Sequence, residues 1–194
     1  MERTSQLAGL LRYAAFALCM SACATLPNTP PLSPDAVAAG VSVEDSTFDK
    51  EIKYVGPSIT ENRECGGPLN LCNATSISCL RSWKHRDTGV LTNQLYVGIS
   101  YGDRRLRLYD AANLEGGEQA PFTSIDQGVH DCSGDLCTYV EEFGVALTSD
   151  FLAAHAQTGF SIRANAKSGT ETVVAVSANY VQGYLRVAAP SGAH

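Results

Sequence analysis

Four side chains that could hold a cation or move a proton lie close together in the sequence. They are Asp126, His130, Asp131 and Asp135. Carboxylate oxygens suit divalent cations, and a histidine near a carboxylate can act as a general base. The competing interpretation is that aspartates are frequent in turns, where they satisfy local backbone donors. We favour the turn, so we predict no catalytic residue, no metal site and no cofactor. A hydrolase that uses the His130–Asp135 loop is the alternative function.

The chain carries none of the short motifs that mark common enzyme chemistries. It has no Gly-x-Ser-x-Gly, no Gly-x-x-x-x-Gly-Lys and no His-Glu-x-x-His. Its formal net charge is −6, and an acidic chain is repelled by phosphate backbones. We therefore expect no nucleic acid among its partners.

The first 22 residues have the layout of a secretory signal peptide. Arg3 and Arg12 are basic, residues 13–20 are apolar, and Ser21 and Ala22 are small. The uncharged run is roughly ten residues long, whereas a membrane-spanning helix needs about 20. We therefore predict cleavage of residues 1–22 rather than a transmembrane anchor.

The residues around Cys23 indicate how the cleaved chain is modified. Met20-Ser21-Ala22-Cys23 resembles the bacterial lipobox, although Met20 stands where leucine is usual. The resemblance implies that Cys23 becomes a lipidated N-terminus, with enough acyl chains for stable anchoring. The alternative is ordinary signal-peptidase cleavage that leaves Cys23 as a thiol. The layout is similar to that of envelope lipoproteins of Gram-negative bacteria, and Ala24 favours the outer membrane by the same resemblance.

A proline-rich stretch separates Cys23 from the rest of the chain. Four of the eight prolines stand at Pro27, Pro30, Pro31 and Pro34. Proline fixes φ and lacks an amide donor, so such a stretch is extended and excluded from a sheet interior. We predict that residues 23–45 form a tether, or a leader with no spacing role, and that a single domain occupies residues 46–194.

Five cysteines lie beyond Cys23, and export favours disulfides among them. Fifteen patterns with two bridges and one free thiol are open. The tight loop that Cys132 and Cys137 bound favours a bridge between them. Cys79 lies in an apolar strand pattern that suits a buried free thiol, which leaves Cys65 to pair with Cys72. A zinc site is the alternative, but short Cys-x-x-Cys pairs are missing.

Residues 94–110 predict a β-hairpin with a two-residue turn at Gly102-Asp103. Pairing across that turn gathers apolar side chains on one face and tyrosines and arginines on the other. Tyrosine and arginine are favoured at protein contacts, although a merely solvated face is the alternative. The predicted contact surface consists of Tyr96, Tyr101, Arg105, Arg107 and Tyr109.

The rest of the pattern indicates a mainly β domain. Further strands are predicted at 48–55, 75–84, 122–126, 138–147, 161–166 and 172–177, and helices at 151–158 and 179–187. About eight strands, short turns and two short helices predict an antiparallel β-sandwich or an open barrel.

Taken together, these features predict a lipid-anchored protein of the bacterial envelope, at the outer membrane and facing the periplasm. Its partners would be the membrane, through the lipid, and an envelope protein or small ligand. A binding or assembly module is the favoured function, because it needs only an exposed surface on a rigid scaffold. A structural spacer without a partner is a third possibility.

Overall fold

The structure is a computed structural model that describes residues 32–66 and 71–189. The predicted signal peptide and the predicted lipidation site, Cys23, lie outside the described residues. In chain order the elements are α1 (Pro34–Gly40), β1 (Ser42–Glu44), β2 (Glu51–Val55), β3 (Ile59–Gly66), β4 (Leu71–His85), β5 (Leu91–Asp103), β6 (Tyr109–Leu114), β7 (Gln119–Ala120), β8 (Phe122–Ser133), β9 (Leu136–Leu147), α2 (Ser149–Ala154), β10 (Phe160–Ala166), β11 (Glu171–Val176) and α3 (Ala178–Ala188).

The described strands form two antiparallel sheets. The larger sheet has the order β1-β2-β4-β5-β9-β8, with β3 also paired to β4, and the smaller sheet has the order β11-β10-β6-β7. The mainly β class and the sandwich are confirmed, with eleven described strands rather than about eight and three helices rather than two. Both sheets are open, because neither order returns to its first strand.

The core lies between the inner faces of the two sheets. Strand β9 alternates as predicted, so that Tyr139, Phe143 and Val145 are buried beside the inner residues of β5. The smaller sheet contributes the buried side chains Phe160, Ile162, Val174 and Val176. Burying each such side chain contributes roughly 1.5–3 kcal/mol, so this period-two pattern is the main determinant of the sandwich.

The predicted hairpin at residues 94–110 is wrong. Strand β5 runs straight through Gly102 and pairs with β4 on one side and β9 on the other. Residues 104–108, here called the crossover, then carry the chain to the smaller sheet, where β6 pairs with β10 and β7. The alternation predicted for residues 94–101 is correct, because the odd-numbered side chains there are buried, but it fails beyond the turn, where Arg107 and Tyr109 are buried and Leu108 is exposed.

Helix α1 shows that the domain begins earlier than residue 46. Ser33 caps this helix by accepting the Ala36 N–H at 3.2 Å, and the Val37 side chain is fully buried. A Cβ at Gly183 of α3 would lie 2.3 Å from the Pro34 carbonyl oxygen, so the two helices cross at very close range. The predicted tether is therefore too long, because its residues from 34 onward belong to the folded domain.

Helix α3 also completes the larger sheet. Strand β2 pairs with residues 81–85 of β4, and β3 pairs with residues 71–78 of the same strand. The Leu80 N–H lies between these two paired stretches. The Tyr180 hydroxyl accepts this N–H at 3.3 Å and donates to the Pro57 carbonyl at 2.7 Å. Gly56 leaves room for the phenol, because a Cβ there would lie 2.3 Å from its oxygen.

The predicted disulfides and the free thiol are confirmed. Cys65–Cys72 and Cys132–Cys137 each join residues that face each other across an antiparallel pair. Cys79 is free and buried. The remaining predicted strands and both predicted helices are present, although β2 begins only at Glu51 and Thr148, rather than Ser149 or Asp150, caps α2.

Candidate functional site

The outer face of the larger sheet carries a group of large polar and aromatic side chains. Along β4, the even-numbered residues from Ala74 to Ser82 are buried against the core, so Arg81 and Trp83 project from the other face. The register places Gln94 opposite Arg81, and Gly98 opposite Glu142 on β9. We call Arg81, Trp83, Gln94, Tyr96 and Glu142 the outer-face cluster.

Arg81 is at the centre of the outer-face cluster. Its guanidinium carbon lies 4.3 Å from the centroid of the Tyr96 ring and 5.6 Å from that of the Trp83 ring. Its Nη2 donates to the Gln94 amide oxygen at 2.6 Å, while its Nε is buried without a hydrogen-bond partner. The stacking and the hydrogen bond together hold the plane of the guanidinium in one orientation.

Two glycines flank the cluster, and they constrain it differently. At Gly144 an added Cβ would lie 2.0 Å from the Gln94 Nε2, so Gln94 lies across β9 only because that position has no side chain. At Gly98 an added Cβ would meet the Tyr96 hydroxyl at 3.5 Å, which is an ordinary contact. Gly144 is therefore part of what positions Gln94, and through it Arg81.

The Tyr96 phenol and the Cys79 thiol of this face stay protonated at neutral pH. Burial, together with a hydrogen bond to Glu142, raises the pKa of the Tyr96 phenol to about 12. Burial also raises the pKa of the Cys79 thiol. Because the thiolate is the reactive form of cysteine, Cys79 is suited to packing rather than to nucleophilic attack. The face offers a cation, aromatic ring surfaces and hydrogen-bonding groups, all of which can contact another molecule.

A second concentration of charge lies inside the sandwich, around Glu141. Its carboxylate accepts a hydrogen bond from the Tyr101 hydroxyl and the backbone N–H groups of Arg107, Leu108 and Tyr109, the last three at 3.0–3.1 Å. These contacts bind β9 to the crossover. Every oxygen of the carboxylate is occupied by the protein itself, so this centre is an internal support.

Arg107 joins the crossover to the tip of β3. Its guanidinium lies 2.6 Å from the Glu64 carboxylate and 4.0 Å from the centroid of the Tyr101 ring. The hydrogen bond to Arg107 is the main cause that lowers the pKa of Glu64. This ion pair fixes the disulfide-closed tip of the β3–β4 pair against the crossover.

The predicted contact surface does not exist as one surface. Tyr101, Arg107 and Tyr109 are 1%, 5% and 4% exposed, so the prediction is wrong for these three. They are buried because β5 and β6 belong to different sheets and the crossover turns inward onto Glu141. Tyr96 lies in the outer-face cluster, whereas Arg105 is exposed in the crossover.

The residues of the predicted cation or general-base site do not converge. Asp126, His130, Asp131 and Asp135 are spread along the exposed β8–β9 hairpin. The Asp126 and Asp131 carboxylates each accept the backbone N–H of the next residue at 2.8 Å, as expected of aspartates in a local role. Within residues 32–66 and 71–189, no group of three or more His, Cys, Asp or Glu side chains is arranged to hold a metal ion.

A shallow cleft of about 310 Å³ lies between β6 and β8. The lining residues are Leu108, Tyr109, Asp110, Phe122, Ser124, Gln127 and Lys167. Its lining residues include neither a histidine nor a cysteine. Asp126, Asp131 and Asp135 are not among the lining residues either, so the cleft does not include the His130–Asp135 loop on which the hydrolase alternative depends.

The sequence-based prediction of the contact surface missed four members of the outer-face cluster: Arg81, Trp83, Gln94 and Glu142. A usable signal was present, because Arg81 and Trp83 have the same parity in β4 as Cys79 and must share its face. The pairing of β5 with both β4 and β9 brings in Gln94, Tyr96 and Glu142, and no local pattern indicates that pairing.

Comparisons of the chain with protein families, with curated proteins and with solved structures found no match. Among the helices in the described ranges, none has the length and apolar character needed to cross a bilayer.

Proposed function

We propose that this protein is a lipid-anchored binding module of the bacterial envelope and that its outer-face cluster contacts a partner protein. The lipobox-like Met20-Ser21-Ala22-Cys23 supports the anchor. On this proposal the lipid holds the protein at the outer membrane, and the domain faces the periplasm. The anchor keeps the domain near the membrane, and the cluster provides specificity.

The observation that carries the binding role is the stacking of Arg81 between Trp83 and Tyr96 on the outer face of the sheet. Tryptophan, tyrosine and arginine are the residues that most often dominate binding energy at protein interfaces. In the described chain the rings and the guanidinium support one another, so little side-chain freedom is lost on binding. The neighbouring Ile77 is 43% exposed and extends the face with an apolar contact.

Site-specific photocrosslinking in the source bacterium tests this function. A photoreactive amino acid replaces Ile77 beside the cluster or, as the matched control, Val173 on the smaller sheet, which is 53% exposed. We expect one adduct of constant mass from position 77 and none from position 173. The adduct should disappear in Trp83→Ala and persist in Arg105→Ala. Equal adducts from both positions, or an adduct indifferent to Trp83, would contradict the proposal.

The anchor has its own test. Cys23→Ala should move the protein from the detergent phase to the aqueous phase when a membrane extract is partitioned. Retention of the variant in the detergent phase would rule out lipidation at Cys23, and it would leave the result at the outer-face cluster unaffected.

A further inference from the structure

We infer that the outer-face cluster recognises a carboxylate, presented by an aspartate or glutamate side chain on the surface of the partner protein. This inference rests on the proposed binding function and adds the chemistry of the partner. It depends on the charge state of Arg81, on the rigidity of its guanidinium and on the open shape of the face.

In the described residues, no carboxylate oxygen lies within 4.0 Å of the Arg81 guanidinium. Five other arginines and Lys53 each have a carboxylate oxygen within 4.0 Å; the arginines are Arg63, Arg86, Arg107, Arg163 and Arg186. Arg104 and Arg105 have none but are exposed to water. Of the arginines in the described ranges, Arg81 is therefore the one that is partly removed from water without an anionic partner. Such a cation gains most from an external anion, because it has already lost part of its hydration.

The guanidinium of Arg81 is also oriented before any ligand arrives. Arginine has five N–H donors in a planar fork that matches a carboxylate, and Arg81 uses one of them on Gln94. Because its Nε is buried, a ligand must approach the end of the fork formed by the two terminal nitrogens. The centroid of the Trp83 ring lies 5.6 Å from the guanidinium carbon, close enough for the ring to contact the apolar stem of an acidic side chain bound there.

The charges around the site favour a carboxylate over a phosphate group. Lys53 stands opposite Trp83 in the β2–β4 register, but it is already paired with Glu44 at 3.3 Å. Glu142, another member of the cluster, adds a negative charge nearby. One cation without a carboxylate in direct contact, with a second carboxylate nearby, suits a ligand with a single negative charge, whereas phosphate monoesters carry nearly two at neutral pH.

The open shape of the face favours a side chain on a protein surface over a free small acid. The cluster lies on an extended sheet, and the side chains around Arg81 are half-buried rather than enclosed. A small acid bound there would remain exposed on its far side, and small molecules bind tightly only where most of their surface is covered. A protein partner would cover the far side itself.

The only tryptophan of the chain is Trp83, so its fluorescence reports directly on this site. The full-length protein in detergent would be titrated with the blocked peptide acetyl-Phe-Glu-Phe-amide. The matched probes replace the central residue with glutamine or with phosphoserine. We expect the glutamate peptide to shift the emission with an affinity about tenfold or more above that of the glutamine peptide, since one charge-assisted hydrogen bond contributes roughly 1.5–3 kcal/mol. The phosphoserine peptide should bind more weakly than the glutamate peptide.

Two variants and the salt dependence complete the test. Arg81→Gln should abolish the preference for the glutamate peptide, and Arg105→Gln, the matched exposed arginine, should leave it intact. If Arg81→Gln fails to fold, the salt dependence of peptide binding to the wild-type protein tests the inference instead. Binding of the glutamate peptide should weaken with added salt, and binding of the glutamine peptide should not.

Equal binding of the glutamate and glutamine peptides would overturn the inference, as would an unchanged preference in Arg81→Gln. Stronger binding of the phosphoserine peptide would overturn the selection of a carboxylate. If the crosslink from position 77 forms while the peptides fail to discriminate, the binding function stands and only the carboxylate inference falls.

Discussion

The carboxylate of Glu141 lies 3.1 Å from the backbone nitrogen of Leu108, a residue whose φ is +61°. Leu108 and Glu64 are the non-glycine residues with positive φ in the described ranges, and such a conformation is costly for a residue with a branched or bulky side chain. Glu141 stabilises it by accepting the N–H groups of three consecutive residues. The buried charge thus holds the crossover, and through it the alignment of the two sheets.

Replacing Glu141 with glutamine tests this support. Glutamine keeps one acceptor oxygen but places an NH₂ donor against backbone donors, so at least one buried N–H loses its partner. Each such loss costs roughly 1–3 kcal/mol, and we expect the free energy of unfolding to fall by about 2–4 kcal/mol. Urea denaturation monitored by circular dichroism measures it. The adjacent variant Glu142→Gln, on the outer face, should change the value by less than about 1 kcal/mol, and equal effects of the two variants would contradict the supporting role.

Glu141 also shows where sequence reasoning stops. The alternation in residues 138–147 correctly places it on the same face as Tyr139 and Phe143, which are buried. The same alternation in residues 94–110 predicts a hairpin that does not form. A period of two identifies which side chains share a face, but it does not identify which strand lies alongside. The partner of β5 is decided by long-range packing and by the hydrogen bonds of Glu141.

The predicted domain boundary differs from the observed one for another reason. The prolines between residues 27 and 34 together predict a tether, yet Ser33-Pro34-Asp35 also has the order of a helix start: a capping serine, proline in the first turn and an acidic residue beside it. That signal consists of three adjacent residues, so it can be recognised in the sequence alone.

The outer-face cluster is predictable only in part. The alternation in β4 indicates Arg81 and Trp83, whereas the positions of Gln94 and Glu142 depend on the order of the strands in the sheet.

Gly144 provides a test of how the cluster is positioned. In Gly144→Ala the new methyl group would occupy the place of the Gln94 side-chain amide, and we expect Gln94 to move and release Arg81. The displaced atoms are the end of a flexible side chain, so the free energy of unfolding should change by only about 1 kcal/mol. The yield of the photocrosslink from position 77 should nevertheless fall severalfold.

Gly98→Ala is the matched control for that experiment. It adds the same methyl group to the neighbouring strand, where the nearest contact is an ordinary 3.5 Å. The crosslink yield should remain at the wild-type level. If both alanine variants keep full yield, the orientation of Gln94 is irrelevant to binding.

The crossing of α1 and α3 predicts a stability effect at Gly183. In Gly183→Ala the methyl group would meet the Pro34 carbonyl oxygen at 2.3 Å, and backbone atoms cannot move aside as a flexible side chain can. We expect a net loss of about 1–3 kcal/mol from overpacking, although alanine is intrinsically the better helix former by about 1 kcal/mol. Gln182→Ala is the control, and it should change the free energy of unfolding by less than about 0.5 kcal/mol. A stabilised Gly183→Ala variant would show that α1 does not pack there.

Buried phenols predict that stability is lost at alkaline pH. Burial raises the pKa of Tyr101, Tyr180 and Tyr184 well above the ordinary value, whereas tyrosines of the unfolded chain titrate near pH 10. The folded protein therefore holds these protons more tightly than the unfolded chain does. The contribution of these phenols to the free energy of unfolding should be constant below about pH 9 and fall above about pH 10, because only the unfolded chain then releases the protons.

The slope of that decrease counts every proton that the folded protein holds more tightly, those of Tyr96 and Cys79 included. Each contributes about 1.4 kcal/mol per pH unit once the unfolded chain is ionised, so Tyr180→Phe should reduce the slope by about that amount. The variant also removes the hydroxyl between Leu80 and Pro57, which lowers the free energy of unfolding by roughly 1–3 kcal/mol at neutral pH. Urea denaturation at a series of pH values separates the two effects. An unchanged slope in Tyr180→Phe would show that its phenol ionises in the folded protein as readily as in the unfolded chain.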